Sequence, residues 1–293
     1  MPTPSLHLKT LLGDYPVTRA LRTGSIKDAS LDFDFADVKV PNTAFKRTVR
    51  DMEFDVSELA IVTFLQAVDV GVPLVLLPAV VVSRFQHPYL MYDARRGVLG
   101  PHDLNRKRIG VRSYCVTTVT WIRGMLMAEY GIRPDEIEWV TFEDAHVAEW
   151  QDPASARRAP HGKDMLQMLE DGELDAAVLT GPPEASPHIK TVFPDPKTDS
   201  ALWQKRHGVI QINHMVTVRK SICDARPDVP EKLMDLLIKS RQIGLPATAH
   251  ANHPMGVADV RLPLEFAINM VYQQGLIRQR YAVDSLLYSP TKA

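Results

Sequence analysis

Residues 107–131, KRIGVRSYCVTTVTWIRGMLMAEYG, decide the fold of this chain. The alternating run Ile109–Val111 predicts a short strand, because apolar side chains in a strand recur on one face at every second residue. Residues Thr117–Tyr130 carry apolar side chains at helical spacing and predict a helix. A turn of three residues, Arg112–Tyr114, joins the two. The stretch therefore predicts a strand–turn–helix unit of an α/β protein.

The turn before this helix predicts a seat for an anion. The first turn of a helix has unpaired backbone N–H groups and the positive end of the helix dipole, and the hydroxyls of Ser113, Thr117 and Thr118 stand beside them. The chain has no GxGxxG or GxxxxGK[ST] motif, so a dinucleotide or nucleotide phosphate is not indicated. We expect a carboxylate. The simpler alternative is that Ser113 or Thr117 only caps the helix.

Composition and charge narrow the class of partner. With 293 residues and 45% apolar side chains, the chain is long enough for two lobes or one large α/β domain. The net charge is −1, from 34 basic and 35 acidic residues, and no basic block occurs. This balance argues against nucleic acid or a membrane surface as partner. We expect a small molecule, and self-association into a homo-oligomer stays open.

The cysteines and the N-terminus predict a soluble protein of the cytoplasm. Cys115 and Cys223 are the only cysteines and form no CxxC pattern, which disfavours a disulfide framework or a thiolate zinc site. The first residues lack a basic segment followed by a sustained apolar one, so no signal peptide is predicted. The longest apolar stretch, Val70–Val82, is too short to span a bilayer.

Strands and helices alternate along the sequence, and the Gly- and Pro-rich segment Gly97–Asp103 indicates a joint between two lobes. We therefore predict two α/β lobes that face a cleft, with one doubly wound sheet as the alternative. The predicted strands are Leu6–Leu11, Asp34–Val40, Pro73–Val82, Ile109–Val111, Glu138–Phe142, Leu174–Leu179 and Val209–Val218. The predicted helices are Thr18–Leu21, Asn42–Arg50, Leu59–Val70, Thr117–Tyr130, Asp164–Leu169, Pro230–Ile243 and Leu262–Gln274.

Seven patches in order resemble the 4,5-dihydroxyphthalate decarboxylase family, and together they run nearly the full length of the chain. They are GDYPVTRAL (13–21), FDVSELA (54–60), SRFQHPYLMY (83–92), RIGVRSY with WIRGMLMAEYGI (108–132), GELDAAV (172–178), INHMVTVRK (212–220) and MGVADVRLPLEFAINMVYQQGL (255–276). Two stretches depart from the family pattern, EDAHVAEWQDPASARRAPHG (143–162) and ATAHANHPMG (247–256). Both are expected to line the cleft, so the identity of the substrate is the weakest part of the resemblance.

The resemblance implies a two-lobed fold of the type II periplasmic-binding-protein kind, with the substrate in the cleft. The implied first lobe is formed by residues 1–90 and 210–293, and the second by residues 95–205. The implied reaction is the non-oxidative loss of CO2 from a hydroxylated aromatic dicarboxylate, 4,5-dihydroxyphthalate to 3,4-dihydroxybenzoate, without a cofactor. The alternative is a solute-binding protein for a small anion, which would need an export signal. A pyrimidine-precursor synthase, which would consume its own histidine and use iron, is a third hypothesis.

Arginines are the candidates for holding the substrate carboxylates, because a guanidinium grips a carboxylate with two parallel hydrogen bonds. Arg19 and Arg84 both lie at predicted strand ends inside matching patches, and Arg112 lies in the turn of the anion seat. The alternative for each is a surface arginine in a salt bridge. Asp14, Ser113, Tyr114 and Thr117 complete the candidate substrate contacts, although the turn at Asp14 favours such a residue without a ligand.

Histidines are the candidates for proton transfer to the ring, since their ordinary pKa lies near neutral pH. His87 and His214 both belong to matching patches. The alternative is a hydrogen-bonded structural role for either one. Glu58 follows a strand and begins an apolar helix, so we expect it to bind the ring hydroxyls or to act only as a first-turn acid.

A metal site is not expected. His250 and His253 form an HxxH spacing in a loop, but two imidazoles without a third ligand nearby make a weak zinc site. Cys115, near a helix start, is read as a small buried residue because no histidine partner can be assigned to it.

Overall fold

The fold contains two β-sheets, each covered by helices, in a computed structural model that describes residues 5–181 and 186–288. The strands are β1 Leu6–Leu11, β2 Leu31–Phe35, β3 Val56–Ala60, β4 Leu74–Ser83, β5 Leu90–Asp93, β6 Arg108–Val111, β7 Glu138–Thr141, β8 Ala156–Arg158, β9 Ala176–Val178, β10 Ile189–Thr191 and β11 Ile212–Arg219. The helices are α1 Arg19–Arg22, α2 Phe45–Arg50, α3 Ile61–Asp69, α4 Thr117–Tyr130, α5 Met165–Glu170, α6 Pro196–His207, α7 Lys220–Ala225, α8 Asp228–Gly244, α9 Val257–Gln273 and α10 Val283–Leu286.

The first sheet has the strand order β2-β1-β3-β11-β4, and we call the part of the chain built on it the first lobe. Strand β1 pairs in parallel with β2 and β3, whereas β11 runs antiparallel to both β3 and β4. Strand β11 is therefore a central strand that arrives late in the sequence. Its register places His214 opposite Ala60 of β3 and Val82 of β4.

The second sheet has the order β10-β5-β9-β6-β7-β8, and we call the part built on it the second lobe. Strand β6 pairs in parallel with β7 and β9, so the carboxyl ends of these strands meet at one edge. In open α/β sheets ligands bind beyond that edge. The turn after β6 leads directly into α4 there.

Two segments carry the chain between the sheets, and they lie side by side. Arg84 donates its backbone N–H to the carbonyl of Gln211, and Gln86 donates its own to the Gln211 side chain at 2.8 Å. The Gln86 amide also donates to the Asn213 side chain at 3.0 Å. The indole of Trp121 on α4 donates to the carbonyl of Ile212 at 2.8 Å. Buried hydrogen bonds therefore fix both segments to each other and to the second lobe.

The structure confirms the two-lobed α/β prediction and excludes the single doubly wound sheet. The helix predicted at Thr117–Tyr130 has those bounds. The residue bounds of the lobes stay a prediction, and their outermost residues, 1–4 and 289–293, lie outside the described part.

Three predicted element bounds were wrong for physical reasons. The second strand spans Leu31–Phe35 rather than residues 34–40, because the alternation of apolar and acidic residues in LDFDF places it there. Residues Val56–Ala60 are all buried and form a strand, so α3 begins at Ile61 and not at residue 59. Helix α9 begins five residues before its predicted start and tolerates Pro263 in its second turn.

No helix within residues 5–181 and 186–288 combines the length and the apolar character that crossing a bilayer requires.

His87 is a buried structural histidine in the first crossing segment. Its Nδ1 lies 3.0 Å from Ser200 Oγ, which already donates to the Pro196 carbonyl at 2.6 Å. Because the hydroxyl has one proton, it accepts from Nδ1–H, and the imidazole is neutral. Its ring packs edge-on against Phe193, with centroids 5.0 Å apart. Burial lowers the pKa of His87 to about 4.

This pKa predicts a loss of stability in mild acid. Below pH 6.5 the unfolded state binds a proton at His87 that the folded state takes up only near pH 4, so the free energy of unfolding falls as the pH drops through that window. From pH 7 to pH 5 the loss from this residue is roughly 2 kcal/mol at most. Urea unfolding at both pH values measures it.

The variant His87→Gln should show a smaller difference between the two pH values than wild type, and His161→Gln, at an exposed position, should show the wild-type difference. Equal pH dependence in His87→Gln and wild type would contradict the assignment.

Candidate functional site

A cavity lies between the two lobes and encloses about 690 Å³ of empty space, counted out to its open mouth. Both lobes and the first crossing segment line it. The first lobe contributes Asn42, Phe45, Ala60, Asn213 and His214, the crossing segment contributes Arg84 and Tyr89, and the second lobe contributes Arg112, Val116–Val119, His146 and Val178–Thr180. The lining combines two arginines, two imidazoles and the aromatic rings of Phe45 and Tyr89.

A buried carboxylate holds one imidazole at the cavity wall. Glu58 on β3 has no exposure to solvent. Its Oε1 lies 2.8 Å from Nδ1 of His214, which extends from the neighbouring strand β11. The same oxygen accepts a hydrogen bond from the Tyr15 hydroxyl at 2.9 Å, and the other oxygen, Oε2, accepts one from the Gly13 backbone N–H at 2.5 Å. Burial and the Glu58 charge raise the pKa of Tyr15, so the phenol stays a donor.

This pair can hold and deliver a proton. Nδ1–H of His214 points to the carboxylate, and the imidazole, 18% exposed, lines the cavity. A buried carboxylate behind a histidine fixes the orientation of the ring and stabilises the imidazolium when it forms. Glu58 itself does not line the cavity, so it acts on a ligand only through His214.

A second imidazole, that of His146, lines the same cavity from a loop that follows β7. Its Nδ1 lies 2.8 Å from Thr63 Oγ1 on α3. Phe45 contacts both imidazoles edge-on, with its centroid 5.6 Å from that of His146 and 5.1 Å from that of His214. The two histidines therefore flank one phenyl ring.

The two imidazoles differ in their electrostatic surroundings. Burial lowers the pKa of His146 to about 3, and the cations Arg112, Lys46 and Arg50 contribute to the lowering, as does His214. No carboxylate accepts from His146 among the described residues, whereas His214 has the Glu58 carboxylate. Environments that separate two titratable groups in this way assign them different roles in acid–base chemistry.

Two guanidinium groups face the cavity. Arg84 is exposed and lies over the ring of Tyr89, 4.5 Å from its centroid. It has no carboxylate partner among residues 5–181 and 186–288. Arg112 is half-buried and lies 3.3 Å from Glu143. An unpaired arginine at an open mouth is suited to an anionic ligand.

The start of α4 forms one wall of the cavity. Thr120 donates its backbone N–H to the Val116 carbonyl at 2.9 Å, so the N–H groups of Thr117, Thr118 and Val119 precede the first bond within the helix. The hydroxyl of Thr117 accepts from the backbone of Val62, in the first turn of α3, at 3.3 Å. The predicted anion seat thus adjoins the cavity, and its first threonine also ties α4 to the first lobe.

The structure brings four of the predicted substrate or proton-transfer residues to the cavity wall and a fifth directly behind it. Those at the wall are Arg84, Arg112, Thr117 and His214, and the one behind is Glu58. The side chains at the wall come from both lobes and from the crossing segment.

The other predicted residues lie elsewhere. Arg19 and Asp14 form an exposed ion pair with each other at 2.8 Å and do not line the cavity. His87 is buried against Ser200 and does not line the cavity.

Ser113 and Tyr114 are buried within the second lobe rather than in the cavity wall. The ring of Tyr114 lies 3.9 Å below the guanidinium carbon of Arg123, a buried arginine that donates to the Tyr114 carbonyl at 2.6 Å. The Ser113 hydroxyl lies 3.8 Å from Cys115 Sγ, and burial raises the pKa of that thiol to about 11. The turn supports the start of α4 and presents only Arg112 to the cavity.

Sequence reasoning missed His146, Asn42, Phe45 and Asn213. His146 belongs to the stretch 143–162, which was expected to line the cleft although no residue in it was singled out. A histidine in such a stretch was the available signal. Asn213 directly precedes the predicted His214, and adjacent residues of a regular strand face opposite sides of the sheet. The pairing of β11 with β4 is irregular around His214, and both side chains line the cavity.

Within the described ranges, no three His, Cys, Asp or Glu side chains are arranged to hold a metal ion. The His250 Nε2–H group donates to the Leu245 carbonyl at 3.2 Å, and His253 is half-buried.

Comparison with known proteins shows the family. The chain is 30% identical over 252 residues to a 4,5-dihydroxyphthalate decarboxylase of Comamonas testosteroni, covering 82% of this chain and 76% of the relative. It is 26% identical over 212 residues to a 4,5-dihydroxyphthalate decarboxylase of Pseudomonas putida, covering 68% and 82%. No protein-family model matches the chain.

Solved structures show the fold. The periplasmic aliphatic sulphonate-binding protein SsuA of Escherichia coli superposes with a TM-score of 0.63 at 11% identity, covering 98% of each chain. The alkanesulfonate-binding protein SsuA of Xanthomonas axonopodis pv. citri, bound to MOPS, gives 0.58 at 12% identity, covering 98% and 99%. The fold is thus that of periplasmic binding proteins, and by its sequence the chain belongs to the 4,5-dihydroxyphthalate decarboxylase family.

Proposed function

We propose that this chain removes one carboxyl group from 4,5-dihydroxyphthalate and releases 3,4-dihydroxybenzoate and CO2. The observation that carries the proposal is the His214–Glu58 pair at the wall of a cavity that also presents unpaired Arg84. The names of the two relatives supply the substrate. The ligand is a small aromatic dianion, which agrees with the cations of the lining.

The carboxylate that remains in the product would bind at the cationic side of the cavity. Arg84 can grip it with two parallel hydrogen bonds, and Arg112 and the N–H groups at the start of α4 add further positive potential. This grip orients the ring plane. Orientation of a substrate within hydrogen-bond reach of an acid supplies a large part of the barrier reduction in such reactions.

The proton for the ring would come from His214. A new C–H bond forms at the ring carbon that bears the departing carboxylate, with the proton of the imidazolium. The C–C bond to that carboxylate then breaks, and its electron pair restores the aromatic ring as CO2 leaves. Glu58 stabilises the positive charge on His214 before the transfer and keeps the ring nitrogen aimed at the cavity.

The ring hydroxyl para to the departing carboxylate would supply the electrons for this protonation. A hydroxyl oxygen donates electron density to the ring carbon opposite to it, and that carbon becomes the site of protonation. In 4,5-dihydroxyphthalate each carboxylate has one para hydroxyl, so either carboxylate gives the same product when it is lost.

Turnover of a substrate panel tests the proposed function. Purified protein with 4,5-dihydroxyphthalate should release CO2 and 3,4-dihydroxybenzoate in equal amounts, detected by chromatography with mass detection. Phthalate, which lacks hydroxyls, should bind without turnover. Binding of all the acids without loss of CO2 from any of them would instead support a solute-binding function.

A monohydroxylated substrate tests the electronic argument. When 4-hydroxyphthalate is turned over, we expect it to lose the carboxylate para to its hydroxyl and to yield 3-hydroxybenzoate. Of the two ring carbons that bear a carboxylate, only the para carbon receives electron density from the hydroxyl oxygen. Chromatography of the product against both isomers measures the outcome. Formation of 4-hydroxybenzoate would contradict the mechanism.

Substitution of the proton-transfer histidine tests its role. His214→Gln should lower kcat by roughly 10²- to 10⁴-fold, which is the ordinary contribution of a positioned acid. The matched control His7→Gln alters an exposed histidine on β1 and should keep the wild-type rate. A His214→Gln variant with near-normal kcat would exclude His214 as the proton donor.

Substitution of the mouth arginine tests the binding of the retained carboxylate. Arg84→Met should lower kcat/KM by roughly 10- to 100-fold, since a charge-assisted hydrogen-bonded pair is lost. Arg133→Met removes an exposed arginine that pairs only with the nearby Asp135, and it serves as the control. If both variants retain the wild-type kcat/KM, Arg84 does not hold the substrate.

A further inference from the structure

The loop that carries His146 reaches from the second lobe onto the first and is fastened there twice. Arg50, at the end of α2, donates to the carbonyl of His146 at 2.8 Å and to that of Ala145 at 2.7 Å. Thr63, in α3, binds the Nδ1 atom of the imidazole at 2.8 Å. Both anchors belong to the first lobe. These contacts across the cleft therefore fix the position of the imidazole, although it belongs to a loop.

These contacts leave one nitrogen of His146 for a ligand. Thr63 occupies Nδ1, and Nε2 has no partner among the described residues. The residue is 8% exposed and lines the cavity. The Nε2 atom is not fully buried, so a ligand bound in the cavity can pair with it. Two tautomers fit this contact, and the one with the proton on Nδ1 donates to the Thr63 hydroxyl and leaves a lone pair on Nε2.

The groups around His146 keep it unprotonated. Arg112 follows β6, Lys46 and Arg50 belong to α2, and His214 approaches from β11. Each of the three cations disfavours a further positive charge on the imidazole. Burial and these cations keep the imidazole neutral, so in the tautomer with the proton on Nδ1 the Nε2 atom is an acceptor.

We propose that His146 Nε2 accepts the proton of the ring hydroxyl para to the departing carboxylate, and so favours aromatic diacids that carry this hydroxyl. This inference rests on the proposed function, and it assigns the residue that recognises the hydroxyl. His146 and His214 both contact Phe45 and both line the cavity, so the acceptor and the ring-proton donor meet the same ligand.

The proton inventory of this step closes with one proton taken from solvent in each turnover. When His214 protonates the ring carbon, the para hydroxyl becomes the O–H of a protonated carbonyl and its proton moves to Nε2. When CO2 leaves, the electrons of the broken C–C bond return to the ring, and the oxygen takes its proton back. His146 ends unchanged, and a solvent proton restores the imidazolium of His214.

A weak base is sufficient for this role. The O–H of a protonated carbonyl is far more acidic than a phenol, so an imidazole that is a poor base toward water still accepts its proton. This division of labour between two imidazoles follows from their unequal surroundings.

Three variants test the inference. His146→Leu keeps much of the volume and removes the acceptor, and it should lower kcat for 4,5-dihydroxyphthalate by roughly 10²-fold or more. His146→Gln retains an acceptor oxygen and should recover at least a tenth of the wild-type kcat. Thr63→Val frees Nδ1 and should lower kcat by about 10-fold, as expected of a positioning residue. The control is His161→Gln, an exposed histidine of the same stretch.

Inhibition by phthalate shows that the site remains intact. Phthalate has both carboxylates and no hydroxyl, so its inhibition constant should stay within about threefold of wild type in each variant, whereas kcat falls. If the leucine variant no longer binds phthalate, the glutamine and valine variants decide by the same two readouts.

Two outcomes are distinguishable. Wild type that turns over 4,5-dihydroxyphthalate together with a His146→Leu variant within threefold of its kcat would overturn the role of His146 and leave the proposed function standing. Wild type that releases no CO2 from any acid of the panel would overturn both.

Discussion

The carboxylate of Glu58, which no solvent reaches, sets the position of the His214 imidazole at the cavity wall. A buried charge is costly unless it is paired and hydrogen-bonded, and removal of one partner from such a pair costs about 3–5 kcal/mol. Three donors meet it: the Gly13 N–H and the Tyr15 hydroxyl after β1, and His214 from β11. The group therefore joins three neighbouring strands and leaves one imidazole facing the cleft.

The second constraint is that the cavity needs both lobes. His214 and Glu58 come from the first lobe, and Arg112 and His146 from the second. His146 reaches Thr63 across the cleft, and Thr117 accepts a hydrogen bond from Val62 in the same direction. Two imidazoles from opposite lobes therefore contact one phenyl ring, that of Phe45, and of the two His214 is paired with a carboxylate.

Much of the fold could be predicted from the sequence, because periodicity marks amphipathic elements well. Helix Thr117–Tyr130 was located to the residue, whereas the strand Val56–Ala60 was not, since a continuous apolar run is equally consistent with a buried helix. The site was only half predictable. Arg84 and His214 stand in matching patches and reach the cavity, but Arg19 and His87 stand in equally good patches and do not. Which way a side chain points depends on pairing register and on contacts distant in sequence.

The coupling between Glu58 and His214 is the most direct test of the account, and a double-variant cycle on kcat measures it. If Glu58 acts only through the imidazole, adding Glu58→Gln to His214→Gln should lower kcat no further than His214→Gln alone, although Glu58→Gln by itself is strongly impaired. Losses that multiply in the double variant would show that Glu58 contributes independently of His214, and they would contradict the central claim.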